Sequence, residues 1–335
     1  MKPILAITLG DINGVGPEVL AKALARPEPW QACQPLVVGD AGALDRARAF
    51  APDCPAPAPV SNAEAAREAE GVPVLAVGPP APMERPGVID PAAGACAAAW
   101  IEAAVRMAMD GAVDGIVTCP INKHCLHQGG FAYAGHTDFV AALTGTQDYR
   151  MSLFAGNMRA VHISSHCSLR EALAQVEQGR IETTVRITAE ALARLGLARR
   201  HIAVAGLNPH AGEEGAFGAE EQRIIAPAVA VCREAGVDCS GPYPPDTVFR
   251  RMRQGEFDAV VAMYHDQGHI PLKLVAMEEG VNVTLGIPIV RTSVDHGTAY
   301  DIAGKGVASE ASLCAAIALA AQLSGAPASA ERSSK

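Results

Sequence analysis

Short apolar runs alternate with alanine-rich segments along most of the chain. The first run, PILAITL, precedes the helical segment VLAKALAR, and PLVVGD at 35–40 starts the next cycle. Runs this short and aliphatic are typical of buried parallel strands, whereas the alanine-rich segments have helical composition. The alternation predicts the α/β class, with a parallel sheet layered between helices.

The second half of the chain repeats the pattern. Strand candidates there are MSLFAG, AVHISSH, HIAVAGLNPH, DAVVAMYHD and NVTLGIPIVRTS, and ASLCAAIALAAQLSG reads as a C-terminal helix. Because 335 residues exceed what one hydrophobic core usually organises, two domains are expected. We place the first at about 1–130 plus 300–335, and the second, with the metal and substrate residues, at 131–299.

Composition excludes several classes of protein. The 27 basic and 36 acidic side chains give a net charge of −9 with no basic stripe, which argues against nucleic-acid binding. The apolar start is too short for a signal peptide, and no run approaches the ~18 apolar residues of a membrane span, so we expect a soluble, cytoplasmic protein. The nine cysteines are scattered without a CxxC pair, which argues against disulfides or a cysteine zinc site.

Three histidines follow three apolar runs. His166 comes after AVHISS, His210 after IAVAGLNP and His265 after AVVAMY. Parallel strands bring their carboxyl ends to one edge of a sheet, where three imidazoles can bind a catalytic divalent metal with open positions for substrate. The alternative is that each histidine is a hydrogen-bonding core or loop residue.

The string MYHDQGHIP holds a second histidine, His269, four residues after His265. Gly268 and Pro271 break helices, so we predict a loop here and not a helical pair of ligands. His265, nearer to the strand end, is the expected ligand, and Asp266 is placed to orient a neighbouring group.

Charged and glycine-rich positions nearby suggest an anionic ligand. Lys273 follows the histidine string and Arg291 ends an apolar run, and such cations bind carboxylates or phosphates. The string GDINGVGPE either approaches a phosphate or forms a tight turn. It lacks the spacing of both a Rossmann site and a P-loop.

Several longer strings together resemble one family. GHTDF, LNPHAGE, YHDQGHIPLK and GVNVTLGIPIVRTSVDHGTAYDIAGKG are similar to the 4-hydroxythreonine-4-phosphate dehydrogenase family, which includes D-threonate and D-erythronate 4-phosphate dehydrogenases, from about residue 4 to residue 325. The resemblance implies a fold like that of isocitrate and isopropylmalate dehydrogenases, with two α/β/α domains. It also implies an active site in the interdomain cleft at a homodimer interface.

The resemblance implies the site residues as well. The metal ligands of the family, contributed by both subunits, correspond to His166, His210 and His265. The substrate-binding positions correspond to His136, Thr137, Lys273, Asn282 and Arg291. Lys273 or Asp266 would relay the proton of the substrate alcohol.

The implied reaction is metal-dependent and NAD-linked, or NADP-linked, with zinc, magnesium or cobalt as the divalent metal. It oxidises and decarboxylates 4-phosphooxy-L-threonine to 3-amino-2-oxopropyl phosphate, a step of pyridoxal phosphate (pyridoxine) biosynthesis. Two departures, GDING in place of GDPAG and HIP after QG, keep the D-threonate and D-erythronate 4-phosphate dehydrogenases as the alternative. A terephthalate cis-dihydrodiol dehydrogenase ranks third, and a metal hydrolase or a non-catalytic sugar-phosphate binding protein are the remaining readings.

Overall fold

The computed structural model describes residues 1–133 and 135–325. These residues divide into two compact units. Unit 1 comprises Met1–Gln147 and Ile287–Gly325, and unit 2 comprises Asp148–Gly286. Each is an α/β structure.

The strands, in chain order, are β1 (Ile4–Thr8), β2 (Gln34–Val38), β3 (Pro57–Pro59), β4 (Val72–Leu75), β5 (Gly115–Thr118), β6 (Arg150–Ala155), β7 (Met158–His162), β8 (Ile202–Ala205), β9 (Cys239–Tyr243), β10 (Ala259–Ala262), β11 (Val281–Leu285) and β12 (Arg291–Val294). The helices are α1 (Gly16–Leu24), α2 (Pro27–Ala32), α3 (Ala41–Ala47), α4 (Pro91–Met109), α5 (Lys123–Gln128), α6 (His136–Leu143), α7 (Leu169–Ala174), α8 (Gln178–Arg194), α9 (Ala226–Glu234), α10 (Pro245–Arg253), α11 (His265–Ala276) and α12 (Ala311–Gly325).

In unit 1 the strand order is β3-β4-β2-β1-β5-β12, and the paired strands are parallel. Ile7 of β1 lies beside Val37 on one side and Val117 on the other, and all three are fully buried. Central strands covered on both faces have no solvent side, which is why their sequences are continuously apolar and do not alternate.

In unit 2 the order is β11-β6-β7-β10-β8-β9. The strands β7, β10, β8 and β9 are parallel, so the carboxyl ends of the three strands that precede the candidate histidines lie at one edge. The strands β6 and β7 are instead antiparallel, because the two residues Gly156 and Asn157 that join them are too few for a crossover.

Contrary to the expectation that no run approaches a membrane span, one helix among the described residues, α4, is long and apolar enough to cross a membrane by length and composition. Half of its apolar window is buried inside the protein. Trp100, at its centre, is 1% exposed and donates its indole N–H to the carbonyl of Val77 at 3.2 Å. This is the environment of a core helix of unit 1.

All nine cysteines are free thiols, as expected from their scattered positions. Burial raises the pKa of Cys33 and of Cys119 to about 12. Because the thiolate is the reactive form, these buried cysteines are chemically inert near neutral pH.

The predicted loop at MYHDQGHIP is wrong, since α11 begins at His265 and continues through Gly268 and Pro271. A Cβ atom at residue 268 would lie 2.4 Å from Nε2 of His162. Glycine therefore stands here to admit a neighbouring ring and not to end the helix. Tertiary packing overrides the local preference of both helix breakers.

Candidate functional site

Four histidines of unit 2 lie together at the ends of β7 and β10. This histidine cluster consists of His162, His166, His265 and His269. The ring centroid of His265 is 5.6 Å from that of His166, 6.1 Å from that of His162 and 3.8 Å from that of His269. His265 is thus the central ring, and two of the three predicted metal ligands, His166 and His265, are brought together.

The orientation of His265 is set by the residue that follows it. Nδ1 of His265 lies 2.7 Å from a carboxylate oxygen of Asp266. A carboxylate accepts, so Nδ1 carries the hydrogen, and in the neutral form of the ring Nε2 presents its lone pair, as in histidines that bind metals. His166, His265 and Asp266 line one cavity of about 580 Å³, a size suited to a small-molecule ligand.

His162 and His269 are further, buried members of the cluster; the sequence did not point to His162, and His269 was not expected to be a ligand. Burial lowers the pKa of His162 to about 4. Burial, reinforced by the neighbouring His162, lowers the pKa of His269 to about 2. Both rings are therefore neutral near pH 7. His162 lies inside an apolar strand, and nothing in its local sequence distinguishes it from a core residue.

His210 lies in an unusual loop after β8. The backbone from His210 to Glu214 is left-handed, with φ between 42° and 82°. The ring of His210 contacts Phe217 at 6.2 Å between centroids. Within residues 1–133 and 135–325 no three His, Cys, Asp or Glu side chains are grouped so as to hold a metal ion. Of the three predicted ligands, His166 and His265 are therefore neighbours within one chain, and His210 does not join them.

A buried carboxylate supports the start of this loop. Glu221 accepts hydrogen bonds from the backbone N–H groups of Leu207 at 2.8 Å and Asn208 at 2.7 Å. Burial by itself would raise the pKa of Glu221, but the hydrogen bonds from Asn208 and Leu207 outweigh it and hold this pKa below its usual value. Glu221 is therefore ionised when the loop is folded, and its carboxylate stabilises the loop.

Gln267 connects the same loop to the strand end before His265. Its side-chain oxygen accepts from the N–H of Met263 at 2.7 Å, and its side-chain nitrogen donates to the carbonyl of Gly206 at 2.8 Å. Gln267 is buried in the first turn of α11, so the ends of β8 and β10 are joined by one amide.

The other two predicted residues of unit 2 lie on neighbouring elements. Lys273 is half-buried on α11, two turns after His265, and its positive charge contributes to the low pKa of His269. Asn282 is on β11, where it pairs with Leu153 of β6.

Unit 1 contains a second group, the cationic cluster, formed by Arg291, His136 and Lys123. Arg291 opens β12, is 2% exposed and donates to the hydroxyl of Thr118 at 2.8 Å. Burial lowers the pKa of Arg291 to about 9, which leaves the guanidinium charged at neutral pH. A buried cation of this kind favours an anionic ligand.

His136 begins α6, with Thr137 next to it in the first turn. Nε2 of His136 is enclosed and has no hydrogen-bond partner among the described residues. Burial lowers the pKa of His136 well below its usual value, and the positive charges of Arg291 and Lys123 lower it further. The neutral ring thus keeps a polar atom available for a ligand.

Lys123 was not predicted. It opens α5, close after the end of β5, and a side chain at Gly135 would meet its terminal atoms at 3.5–4.0 Å. The rule that found the histidines, polar residues after strand ends, would have selected Lys123 from the string TCPINK.

The string GDINGVGPE forms a close-packed turn. Gly10 has φ +74°, and a side chain there would lie 2.4 Å from the carbonyl oxygen of Pro120. Asn13 is fully buried, donates to the carbonyl of Val88 and accepts from the N–H of Arg85. These contacts favour the tight-turn alternative, because the glycines and Asn13 are used to pack neighbouring backbone.

The fold and the two clusters define an α/β protein with imidazole donors at the ends of parallel strands and a buried cationic group. Both features are typical of enzymes that act on small anions.

Comparison with known proteins identifies one family for this chain. The chain matches the family described as pyridoxal phosphate biosynthetic protein PdxA over residues 31–320. It is 47% identical over 324 residues to 4-hydroxythreonine-4-phosphate dehydrogenase of Desulfosudis oleivorans, covering 95% of each chain. It is 44% identical to D-threonate 4-phosphate dehydrogenase of Cupriavidus necator, covering 96% of this chain and 97% of the relative.

A crystal structure of 4-hydroxythreonine-4-phosphate dehydrogenase from Klebsiella pneumoniae matches with a TM-score of 0.85 at 43% identity, covering 96% of this chain and 99% of that one. The chain therefore belongs to the PdxA family. The resemblance inferred from its sequence motifs is confirmed, as is the α/β class, and the named relatives are dehydrogenases.

Proposed function

We propose that the protein is an NAD-linked, divalent-metal-dependent dehydrogenase that oxidises and decarboxylates 4-phosphooxy-L-threonine to 3-amino-2-oxopropyl phosphate in pyridoxal phosphate biosynthesis. The observation that carries this proposal is the 47% identity, over 95% of both chains, to a protein named for that activity. Free buried thiols and buried apolar helices are in keeping with a cytoplasmic enzyme.

The residues present fit a divalent metal in part. The rings of His166 and His265 are 5.6 Å apart between centroids, and the hydrogen bond to Asp266 leaves Nε2 of His265 with a lone pair. Imidazole donors suit zinc and cobalt better than magnesium. Because the described part of one chain does not group three ligands, we propose a homodimer in which His210 of a second copy completes the site.

When bound, the metal supplies Lewis acidity that favours loss of the alcohol proton. The side chains of this protein bind the substrate and accept its alcohol proton. Arg291, His136, Thr137 and Asn282 bind the carboxylate and phosphate groups of the substrate. Lys273 or Asp266 would accept the alcohol proton, and NAD, when bound, would supply the hydride acceptor. The resulting 3-keto acid loses carbon dioxide, and a proton replaces it on carbon.

A second candidate substrate is supported by a specific observation. The relative named D-threonate 4-phosphate dehydrogenase is 44% identical over 324 residues, close to the first relative, and the HIP string after QG favours this branch. D-threonate and D-erythronate 4-phosphates present the same two anionic ends but carry a hydroxyl where the amino acid carries an ammonium group.

The test is formation of NADH by the purified protein with zinc, cobalt or magnesium. The substrates are 4-phosphooxy-L-threonine, D-threonate 4-phosphate and D-erythronate 4-phosphate, each compared with its unphosphorylated form, and NADP is tried in place of NAD. The expected result is the highest kcat/KM with 4-phosphooxy-L-threonine. Preference for a sugar acid would transfer the assignment to the second candidate. Equal rates without phosphate would favour a dihydrodiol substrate, and hydrolysis or binding without NADH would defeat the dehydrogenase proposal.

A further inference from the structure

Two members of the histidine cluster, His162 and His269, have no role in the proposed function. They are 1% and 5% exposed. Nδ1 of His269 lies 3.1 Å from Nε2 of His162, and Nδ1 of His162 lies 3.1 Å from the carbonyl oxygen of Met151. The two rings thus form a hydrogen-bonded chain that starts at the backbone of β6.

The hydrogen positions in this chain follow from its ends. The carbonyl of Met151 can only accept, so Nδ1 of His162 donates to it and Nε2 of the neutral ring accepts. Nδ1 of His269 faces the carbonyl of His265 at 3.2 Å as well as Nε2 of His162. Since neither of these partners can donate, Nδ1 of His269 carries the hydrogen. Both tautomers are fixed by the surrounding structure.

The chain ends against the face of His265. The rings of His269 and His265 are stacked, with centroids 3.8 Å apart and planes 10° from parallel. The edge of the same His265 ring is held by Asp266 at 2.7 Å. Asp266 fixes the edge of the His265 ring and His269 fixes its face. The plane of this ring and the direction of its Nε2 atom are therefore defined.

Gly268 indicates that the backbone is adapted to this arrangement. A side chain at that position would lie 2.4 Å from Nε2 of His162, the atom that accepts from His269. The helix therefore carries a glycine, a poor helix former, in its interior, where the histidine pair needs space.

We propose that His162 and His269 are positioning residues. His162 holds the ring of His269, and the ring of His269 fixes the plane of His265 for binding a divalent metal. The inference rests on the proposed function in one respect, that His265 is a metal ligand. Partners that orient a ligating histidine typically contribute about 10- to 100-fold to metal affinity. If the pair only fills the core, its loss lowers stability and leaves metal affinity unchanged.

The experiment titrates the purified full-length protein with Co²⁺, measuring the dissociation constant and the visible absorption spectrum of the bound ion, with the thermal midpoint measured alongside. His162→Leu should weaken Co²⁺ binding by about 10-fold or more and change the spectrum. His162→Gln keeps an acceptor near the position of Nε2 and should recover most of the affinity. If His162→Leu does not fold, His269→Gln, which removes the stacked ring, takes its place.

Thr188→Ala is the matched control, because this buried residue loses a 2.7 Å hydrogen bond to the carbonyl of Thr184 within α8, a helix that contains no member of the histidine cluster. It should lower the thermal midpoint without changing Co²⁺ affinity. A folded His162→Leu or His269→Gln variant with the wild-type dissociation constant and spectrum would overturn the positioning role. His265→Ala separates the two claims: if it binds Co²⁺ as tightly as wild type, or wild type binds none, the proposed metal site itself has failed.

Discussion

The histidine cluster of unit 2 and the cationic cluster of unit 1 respond differently to the same physical effect. Burial lowers the pKa of His162 to about 4 and that of Arg291 to about 9. The histidine is thereby neutral down to mildly acidic pH, whereas the arginine keeps its charge at neutral pH. One region thus holds two neutral buried imidazoles, His162 and His269, whereas the other retains a positive charge suited to an anion.

The largest effect is expected at Arg291, which stays charged although it is buried. Arg291→Met should lower kcat/KM for the phosphorylated substrate by roughly 30-fold or more, since losing a buried charge-assisted contact costs about 2 to 5 kcal/mol. Steady-state rates of NADH formation measure this change in kcat/KM. Arg291→Lys keeps the charge and should recover only part of the loss, because lysine lacks the planar fork.

Arg106→Met on the exposed face of α4 is the control for this substitution and should leave kcat/KM unchanged. Equal kinetics of Arg291→Met and wild type would mean that the cationic cluster does not bind the substrate.

The second largest effect is expected at Glu221, which supports the left-handed loop of unit 2. Glu221→Ala removes the acceptor of two backbone N–H groups, and each unsatisfied group costs about 1 to 3 kcal/mol. Urea unfolding should show a clearly lower midpoint, and hydrogen exchange should rise at 207–214. Glu234→Ala, on an exposed position, should change neither measurement. Unchanged exchange at 207–214 in Glu221→Ala would mean that the carboxylate does not organise the loop.

The pH dependence of stability sharpens the contrast between the clusters. The folded-state pKa of His162 is lowered to about 4, so between pH 6.5 and 4 the unfolded chain binds a proton that the folded chain does not. The free energy of unfolding should therefore fall as pH falls through this window, by at most about 1.4 kcal/mol per pH unit for each proton. His162→Leu should flatten this slope in urea titrations at several pH values; an unaltered slope would assign it to other groups.

The smallest effect is expected at Asn13, where unit 1 uses a neutral amide to hold a loop. Asn13→Ala removes the bonds to Val88 and Arg85, and neutral hydrogen bonds contribute about 1 kcal/mol each. Its decrease in unfolding free energy should be smaller than that of Glu221→Ala. A larger decrease would show that the hydrogen bonds in the turn at GDING contribute more to the free energy of unfolding than those in the loop of unit 2.

The sequence by itself determined the α/β class, the family and part of the site. Apolar runs locate strands, and residues directly after them share an edge of the sheet, which is why the proximity of His166 and His265 could be predicted. The family motifs likewise selected Arg291 and His136, which the structure places in one cluster.

Only the tertiary structure decided the rest. His162 and His269 are 107 residues apart, and neither is distinguishable from a core residue until the other ring is placed beside it. The helical state of Gly268 and Pro271 and the left-handed run from His210 depend in the same way on distant partners. Periodicity records which face a side chain occupies, but hydrogen bonds and close contacts between distant residues exist only once the strands have been paired.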